Sequence, residues 1–152
     1  MSDMPEFKII RDSREKRGFD LDGPTSVAGL KTCDYTIDGF QDDIGIERKS
    51  MDDLIACLGK QRDRFERELV RARDFQYSAV IVEGTFADLA AGNYISRMNP
   101  KSAVESISAF EVRYRIQFLF CCNQSLAARK CESLLRKFWR EKQLELDSEI
   151  PF

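Results

Sequence analysis

One continuous apolar run, Ala79–Val82, and one mostly apolar segment, Ile116–Cys121, each stand between stretches of helical periodicity. This alternation constrains the fold more than any other feature of the chain. A short run without polar alternation fits a strand buried on both faces. Such a strand needs a layer on each side, so the chain must build a sheet flanked by helices. The flanking helical patterns are plain. Leu54, Leu58, Phe65 and Leu69 recur at helical spacing from Ser50 to about Asp74, with Gly59 as an interruption. Val104, Ile107 and Phe110 mark a helix from Lys101 to about Tyr114, and Ala127, Cys131, Leu134, Leu135 and Phe138 mark one from Ser125 to about Leu144. Ser50-Met-Asp-Asp53 and Thr85-Phe-Ala-Asp88 carry the capping-box pattern, the second opening a short helix that ends near Gly92.

Upstream, Phe7–Ile10, Cys33–Phe40 and Asp43–Lys49 read as strands, the last two as a hairpin closed around Asp38 to Asp43. The expected order is three strands, a helix, a strand, two helices, a strand and a helix. This is an α/β fold whose first strands form a meander. With 152 residues, 43% apolar and 33% charged, the chain fits a single domain, 1–152, with a core over about 7–140 and a tail over 145–152.

Composition excludes several classes. No apolar run reaches the length of a membrane span, and Met1–Phe7 has neither the basic start nor the apolar stretch of a signal peptide, so a cytoplasmic protein with no membrane partner is expected. There is no histidine and no C-x-x-C pair among the five cysteines, which excludes a Cys/His zinc site and points to reduced packing cysteines. Net charge is −2, far from that of a nonspecific nucleic-acid coat. The charges are nonetheless segregated. Lys60, Arg62, Arg64, Arg67, Arg71 and Arg73 crowd one segment, and Asp12, Asp34, Asp42, Asp43, Glu47, Asp52 and Asp53 another. Carboxylates that hold cations beside a basic rim that holds phosphates are the requirements of a metal-using nuclease.

The sharpest constellation is on the expected strand Asp43–Lys49. Residues i and i+2 of a strand share a face, so Glu47 and Lys49 project together and Arg48 opposes them. With Asp34 on the neighbouring strand they make a PD-(D/E)xK-type arrangement. Asp34 and Glu47 are hard oxygen ligands suited to Mg²⁺ or Mn²⁺, and Lys49 can position a water or stabilise charge on the phosphoryl oxygens. Arg48 fits two roles, a tether for Asp12 or Glu15 or a phosphate contact. Asp53 fits an N-terminal helix acid as well as a site residue. Arg64, Arg67, Arg71 and Lys60 are the candidate DNA contacts, with a solvated helix face as the bland alternative.

The longer string Gly45-Ile46-Glu47-Arg48-Lys49-Ser50-Met51-Asp52-Asp53 resembles the acid-Arg-Lys-x3-Asp signature of the XPF family of structure-specific endonucleases. Asp12-Ser13-Arg14-Glu15 resembles the family's first-strand D-x-R-E, and Cys33-Asp34-Tyr35 its G-D-Y with the glycine replaced. Asn99-Pro100, followed by Ala103, Ser106 and Ile107, resembles a helix start of archaeal members. The resemblance spans roughly Phe7 to Arg140. It implies a restriction-endonuclease-like central mixed sheet flanked by helices, Asp34 and Glu47 as metal-binding carboxylates, Asp12 and Glu15 as supporting acids, and Arg48, Lys49 and Asp53 completing the signature. It also implies a homodimer and divalent-metal cleavage of DNA near duplex–single-strand junctions, in repair or recombination.

Only twelve residues follow Arg140, and no tandem helix-hairpin-helix pattern is among them. That departure leaves room for a separate DNA-targeting partner, and a stand-alone version of this size suggests a phage or bacterial prophage gene. A catalytically silent DNA-binding or dimerisation subunit is the alternative reading. Silent partners are expected to lose the acids, and here Asp12, Glu15, Asp34, Glu47 and Lys49 are all present. For the homodimer, the helix from Ser125 carries Leu134, Leu135, Phe138 and Trp139, more apolar surface than one inward face is expected to hide.

Overall fold

A computed structural model describes residues 6–148. Eleven elements follow one another: β1 (Ile9–Asp12), β2 (Thr25–Ala28), β3 (Tyr35–Ile37), β4 (Ile44–Ser50), α1 (Met51–Leu58), α2 (Arg62–Ala72), β5 (Tyr77–Glu83), α3 (Phe86–Ala91), α4 (Pro100–Tyr114), β6 (Gln117–Phe120) and α5 (Gln124–Ser148). The strands form one mixed sheet in the order β2-β1-β3-β4-β5-β6. β1, β3 and β4 are antiparallel neighbours, the expected meander, while β5 and β6 add in parallel through helical crossovers. The α/β class and the central mixed sheet flanked by helices are as the sequence indicates.

The helices cover both faces. Leu54, Phe65, Leu69, Ile107 and Phe110 of α1, α2 and α4 pack with Val80, Val82 and Phe118 on one face. Ala127, Cys131 and Leu135 of α5 pack with Tyr35, Ile44, Ile46, Ala79 and Ile81 on the other. Alternation along β5 thus feeds two cores, which is why Ala79–Val82 carries no polar residue.

The helix starts follow local chemistry. The Asp53 amide donates to Ser50 Oγ at 3.1 Å and the Asp88 amide to Thr85 Oγ1 at 3.0 Å. α3 closes on Gly92 at φ +76°, a left-handed cap that glycine adopts without cost. Four expectations need correction. The helix expected from Ser50 to Asp74 is two helices, because the chain turns at Gly59 and restarts at Arg62. β2 was not expected; it is a four-residue, mostly exposed edge strand paired in parallel with β1. The segment expected as a tail from residue 145 is helical through Ser148, and residues 149–152 lie outside the described residues.

Part of the apolar surplus of α5 is covered within the chain, which is the fourth correction, while Leu126, Leu144 and Leu146 stay exposed. Leu135 is fully buried, Trp139 meets Phe7 edge-on at 6.0 Å and Phe138 meets Phe40 at 5.9 Å. Phe7, and Phe40 of the hairpin, reach across to cover part of that surface, leaving Leu134, Phe138 and Trp139 half-buried. All five cysteines are free, with Cys33, Cys57 and Cys131 buried, Cys121 half-buried and Cys122 exposed. Among the described residues, no helix is long and apolar enough to cross a membrane.

Candidate active site at the sheet edge

β1, β4, β5 and β6 run in the same direction, so their carboxyl ends meet at one edge of the sheet. Asp12, Lys49, Ser50 and Glu83 end there, and Asp34, just before β3, joins them from the antiparallel strand. Open α/β sheets place their ligand crevices at this edge.

Glu47 and Lys49 share the face covered by α1 and α2, as strand alternation requires. Lys49 Nζ lies 3.6 Å from Glu47 Oε1 and 5.5 Å from the centre of the Phe65 ring. The Glu47 and Asp34 carboxyls are close enough to hydrogen-bond when one is protonated. Burial and then the neighbouring Asp34 push the Glu47 carboxyl well above the usual glutamate range, against the pull of Lys49. Burial works to lower the Lys49 ammonium, but Glu47 leads a group of acidic neighbours that outweighs it and pushes the pKa up to about 12. When both carboxyls are ionised, the single buried ammonium leaves an excess of negative charge.

Asp34 is held by main chain on three sides. Its amide donates to the Ile46 carbonyl at 3.0 Å, its carbonyl accepts from Asp12 N at 2.8 Å, and its Oδ2 accepts from Arg48 N at 2.8 Å. The preceding residue, Cys33, has φ +69°, a left-handed conformation that costs a residue with a Cβ roughly 1–2 kcal/mol. A glycine is the usual occupant of such a turn, and here the Cys33 thiol uses the space left by Gly45. A Cβ on Gly45 would stand 2.8 Å from Cys33 Sγ. Burial pushes the Cys33 thiol well up, against thiolate formation.

The remaining predicted residues divide. Arg48 points to the α5 face, where its Nε meets Glu83 Oε1 at 2.6 Å, its Nη1 meets Glu15 Oε2 at 3.7 Å and donates to the Arg17 carbonyl, and its guanidinium lies 4.1 Å from the centre of the Phe19 ring. Of the two roles open to Arg48, the geometry is that of a tether, to Glu15 and Glu83 and not to Asp12. Asp12 is buried and spent on structure: Oδ1 accepts from Leu30 N at 2.9 Å and Oδ2 from Arg14 Nε at 2.8 Å. Burial, then Asp34, pushes Glu15 above its ordinary value. Asp53 is exposed at the first turn of α1. On α2, Arg64 and Arg71 lie on one stripe with Glu68, which pairs with Arg64 at 3.7 Å and shares a small cavity with Glu47 and Cys33. Arg67 lies off that stripe, and Lys60 sits in the turn before α2; both are exposed.

Glu68 and Glu83 escaped the sequence reading. Each looks like an ordinary surface acid until the fold brings α2 and the end of β5 to the site. The one available signal for Glu68 was its i+4 spacing from Arg64 and i−3 spacing from Arg71.

Among the described residues, no three acid or cysteine side chains converge into a ready-made metal cage. The donor set of Asp34 and Glu47 nevertheless fits Mg²⁺ or Mn²⁺. Mg²⁺ is commonly bound through one or two carboxylates plus waters and substrate phosphate, and the excess negative charge at these two acids favours a cation.

Comparison with known proteins identifies the family and the fold. Residues 3–134 match the ERCC4 domain. No curated protein matches the chain. Among solved structures, XPF from Aeropyrum pernix superposes with a TM-score of 0.69 at 24% identity, over 85% of this chain and 60% of that one. XPF from Aeropyrum pernix in complex with DNA gives a TM-score of 0.69 at 21% identity, over 97% of this chain and 68% of that one. The chain therefore spans about 60% of the first of these structures. With a family match over most of its length, the chain belongs to the ERCC4 domain family.

Proposed function

We propose that this chain is a divalent-metal-dependent DNA endonuclease that hydrolyses phosphodiester bonds at branched DNA such as flaps and forks. The observation that carries this reading is the paired Asp34 and Glu47 carboxyls with Lys49 on the same face of one sheet edge. An XPF of the same fold has been captured on DNA, which supports DNA as the ligand class.

In this reading Asp34 and Glu47 would hold Mg²⁺ or Mn²⁺, which supplies Lewis acidity to the phosphoryl group and a more acidic bound water. Lys49, charged throughout the neutral range, orients the water or offsets charge on the phosphate oxygens. Arg48 and the Asp12 strut keep Asp34 in place through main-chain contacts, with Glu15 as a supporting acid. The Asp53 amide closes the first turn of α1 on Ser50 Oγ, directly after β4. Arg64 and Arg71, with Arg67 and Lys60 further out, take phosphates of the bound strand.

The test is cleavage of flap, fork, splayed and plain duplex DNA with Mg²⁺, with Mn²⁺ and with EDTA. Metal-dependent cutting of the branched substrates is expected; binding without cutting in every metal would favour the silent subunit. Arg64→Ala and Arg71→Ala are expected to weaken binding to all sequences alike. Each should reduce the log–log salt slope by about one unit, and an unchanged slope in both would make the stripe a solvated helix face.

We also propose a homodimer through α4 and α5. These helices flank β6, the last strand of the sheet, and expose Val112 at 82% and Leu126 at 49%. Apolar residues of that exposure beside a sheet edge are interface material. Light scattering during gel filtration at micromolar protein is expected to read twice 17.6 kDa, and a mass near 17.6 kDa throughout would rule the stable dimer out.

A further inference from the structure

The connection between β1 and β2, residues 13–24, has no helix or strand of its own, yet it supplies three of the contacts that hold Arg48. They are the Glu15 carboxylate, the Arg17 carbonyl and the Phe19 ring. Arg48 in turn gives its main-chain N–H to Asp34 Oδ2. A segment of this length holds one shape only if it is tied down. One tie is the Phe19 N–H, which donates to the Tyr35 hydroxyl at 2.7 Å.

The other comes from α5. Glu132 is 9% exposed, unusually low for a glutamate on a surface helix. Its Oε1 accepts from the consecutive amides of Asp22, at 2.7 Å, and Gly23, at 3.3 Å, while its Oε2 takes Arg136 Nε at 2.8 Å. Burial opposes its charge, but Arg136 and the two amides outweigh burial and hold the carboxyl below its ordinary value. The approach is close enough that a Cβ on Gly23 would stand 2.8 Å from Arg136 Nη2 and 3.4 Å from Glu132 Oε2. An exposed i,i+4 ion pair needs none of this.

We propose that Glu132 is a positioning residue for the phosphodiesterase site: by fixing residues 22–23 to α5 it sets where Glu15, Arg17 and Phe19 meet Arg48, and through Arg48 it sets the orientation of Asp34. The inference rests on the hydrolytic reading of Asp34 and Glu47. It extends the site from the sheet edge to a helix on the far face, through contacts that touch neither metal nor DNA. Supports of this kind are worth about 10–100-fold in metal affinity or activity when removed.

The experiment compares wild type, Glu132→Ala and Glu132→Gln in four measurements below the melting temperature of each. These are kcat and KM on the preferred DNA, the Mn²⁺ dissociation constant by calorimetry, the NMR resonance of the Arg48 amide, and the melting temperature itself. For Glu132→Ala we expect kcat to fall about 10–100-fold with KM within about twofold, Mn²⁺ binding to weaken by a similar factor, and the Arg48 amide to shift. Glu132→Gln keeps an oxygen for the two amides and should recover much of the loss. If Glu132→Ala does not melt cooperatively, Glu132→Gln carries the same comparison with smaller changes. A lower melting temperature with unchanged kcat, Mn²⁺ affinity and Arg48 resonance would reduce Glu132 to a structural pair and overturn the proposal. If wild type itself cuts no DNA, the hydrolytic reading fails separately, and the Mn²⁺ affinity and the Arg48 resonance still decide whether Glu132 acts on Asp34.

Discussion

Glu47→Gln and Asp34→Asn are each expected to lower cleavage by about a thousandfold or more while leaving the fold intact, since a lost cation forfeits several kcal/mol of charge stabilisation. The two variants lose the same function for one reason: each removes half of a carboxylate pair that faces a single ammonium. Glu47→Gln carries a second signature. The folded pKa of Glu47 lies above its unfolded value, so the folded chain binds the proton more tightly than the unfolded chain does. Ionising Glu47 therefore costs folding free energy, and the cost grows as the pH rises from the ordinary glutamate range through the raised folded value. Glutamine carries no such cost. Metal-free Glu47→Gln should melt at or above wild type near neutral pH, with the gap closing as the pH falls to the point where both states of the wild type are protonated. Retained cleavage in either purified variant would remove Asp34 and Glu47 as the metal-binding pair, and a lower melting temperature for metal-free Glu47→Gln would contradict the buried, mutually repelling arrangement.

Arg48→Met is expected to act on stability first, unlike a change at its neighbour Lys49. The Arg48 side chain is 12% exposed and stands against Glu83 and Glu15, themselves 18% and 19% exposed. Removing the guanidinium leaves two poorly hydrated carboxylates facing each other. Breaking one side of a buried ion pair costs about 3–5 kcal/mol, and the residual water contact here brings the expected loss to about 2–4 kcal/mol. Methionine keeps much of the apolar stem, so the loss reports on the ion pairs and the guanidinium contact with the Phe19 ring rather than on a cavity. A denaturant titration measures it. An unchanged midpoint, together with weaker DNA binding, would return Arg48 to the role of a phosphate contact.

The parts of this molecule that could be read from the sequence are those fixed by neighbours in the chain. Ser50 and Thr85 announce helices because a side-chain oxygen three residues before an amide can satisfy it. Glu47 and Lys49 share a face because strand alternation is local, and that alone placed Arg48 on the other side. β2 was illegible for the opposite reason. Thr25–Ala28 is short and mostly exposed, and only its pairing with β1 makes it a strand. The same holds for Glu68, Glu83 and Glu132, whose partners come from other elements. Trp139 was hard to read because a large aromatic on a surface helix carries no sign of what will cover it, and Phe7 lies at the other end of the sequence. Cys33 shows a middle case. Its place in a motif where glycine is usual was a clue to a positive φ, and the structure has φ +69° there.

The docking of the N-terminal segments on the last helix also dictates when a growing chain can complete the candidate site. Asp22 reaches Glu132 across 110 residues, and Phe7 reaches Trp139 across a still longer stretch. Contacts of such separation bear the full entropy of closing the chain before they return anything. β4, α1, α2 and β5 can assemble from consecutive residues as they leave the ribosome, bringing Glu47 and Lys49 with them. The α5 face of the sheet stays bare until α5 itself has been made, and until then the connection that steadies Arg48 has its Tyr35 tie but lacks the one from Glu132. A chain on which synthesis stops short of α5 therefore carries the site's signature residues without the clamp that orients them.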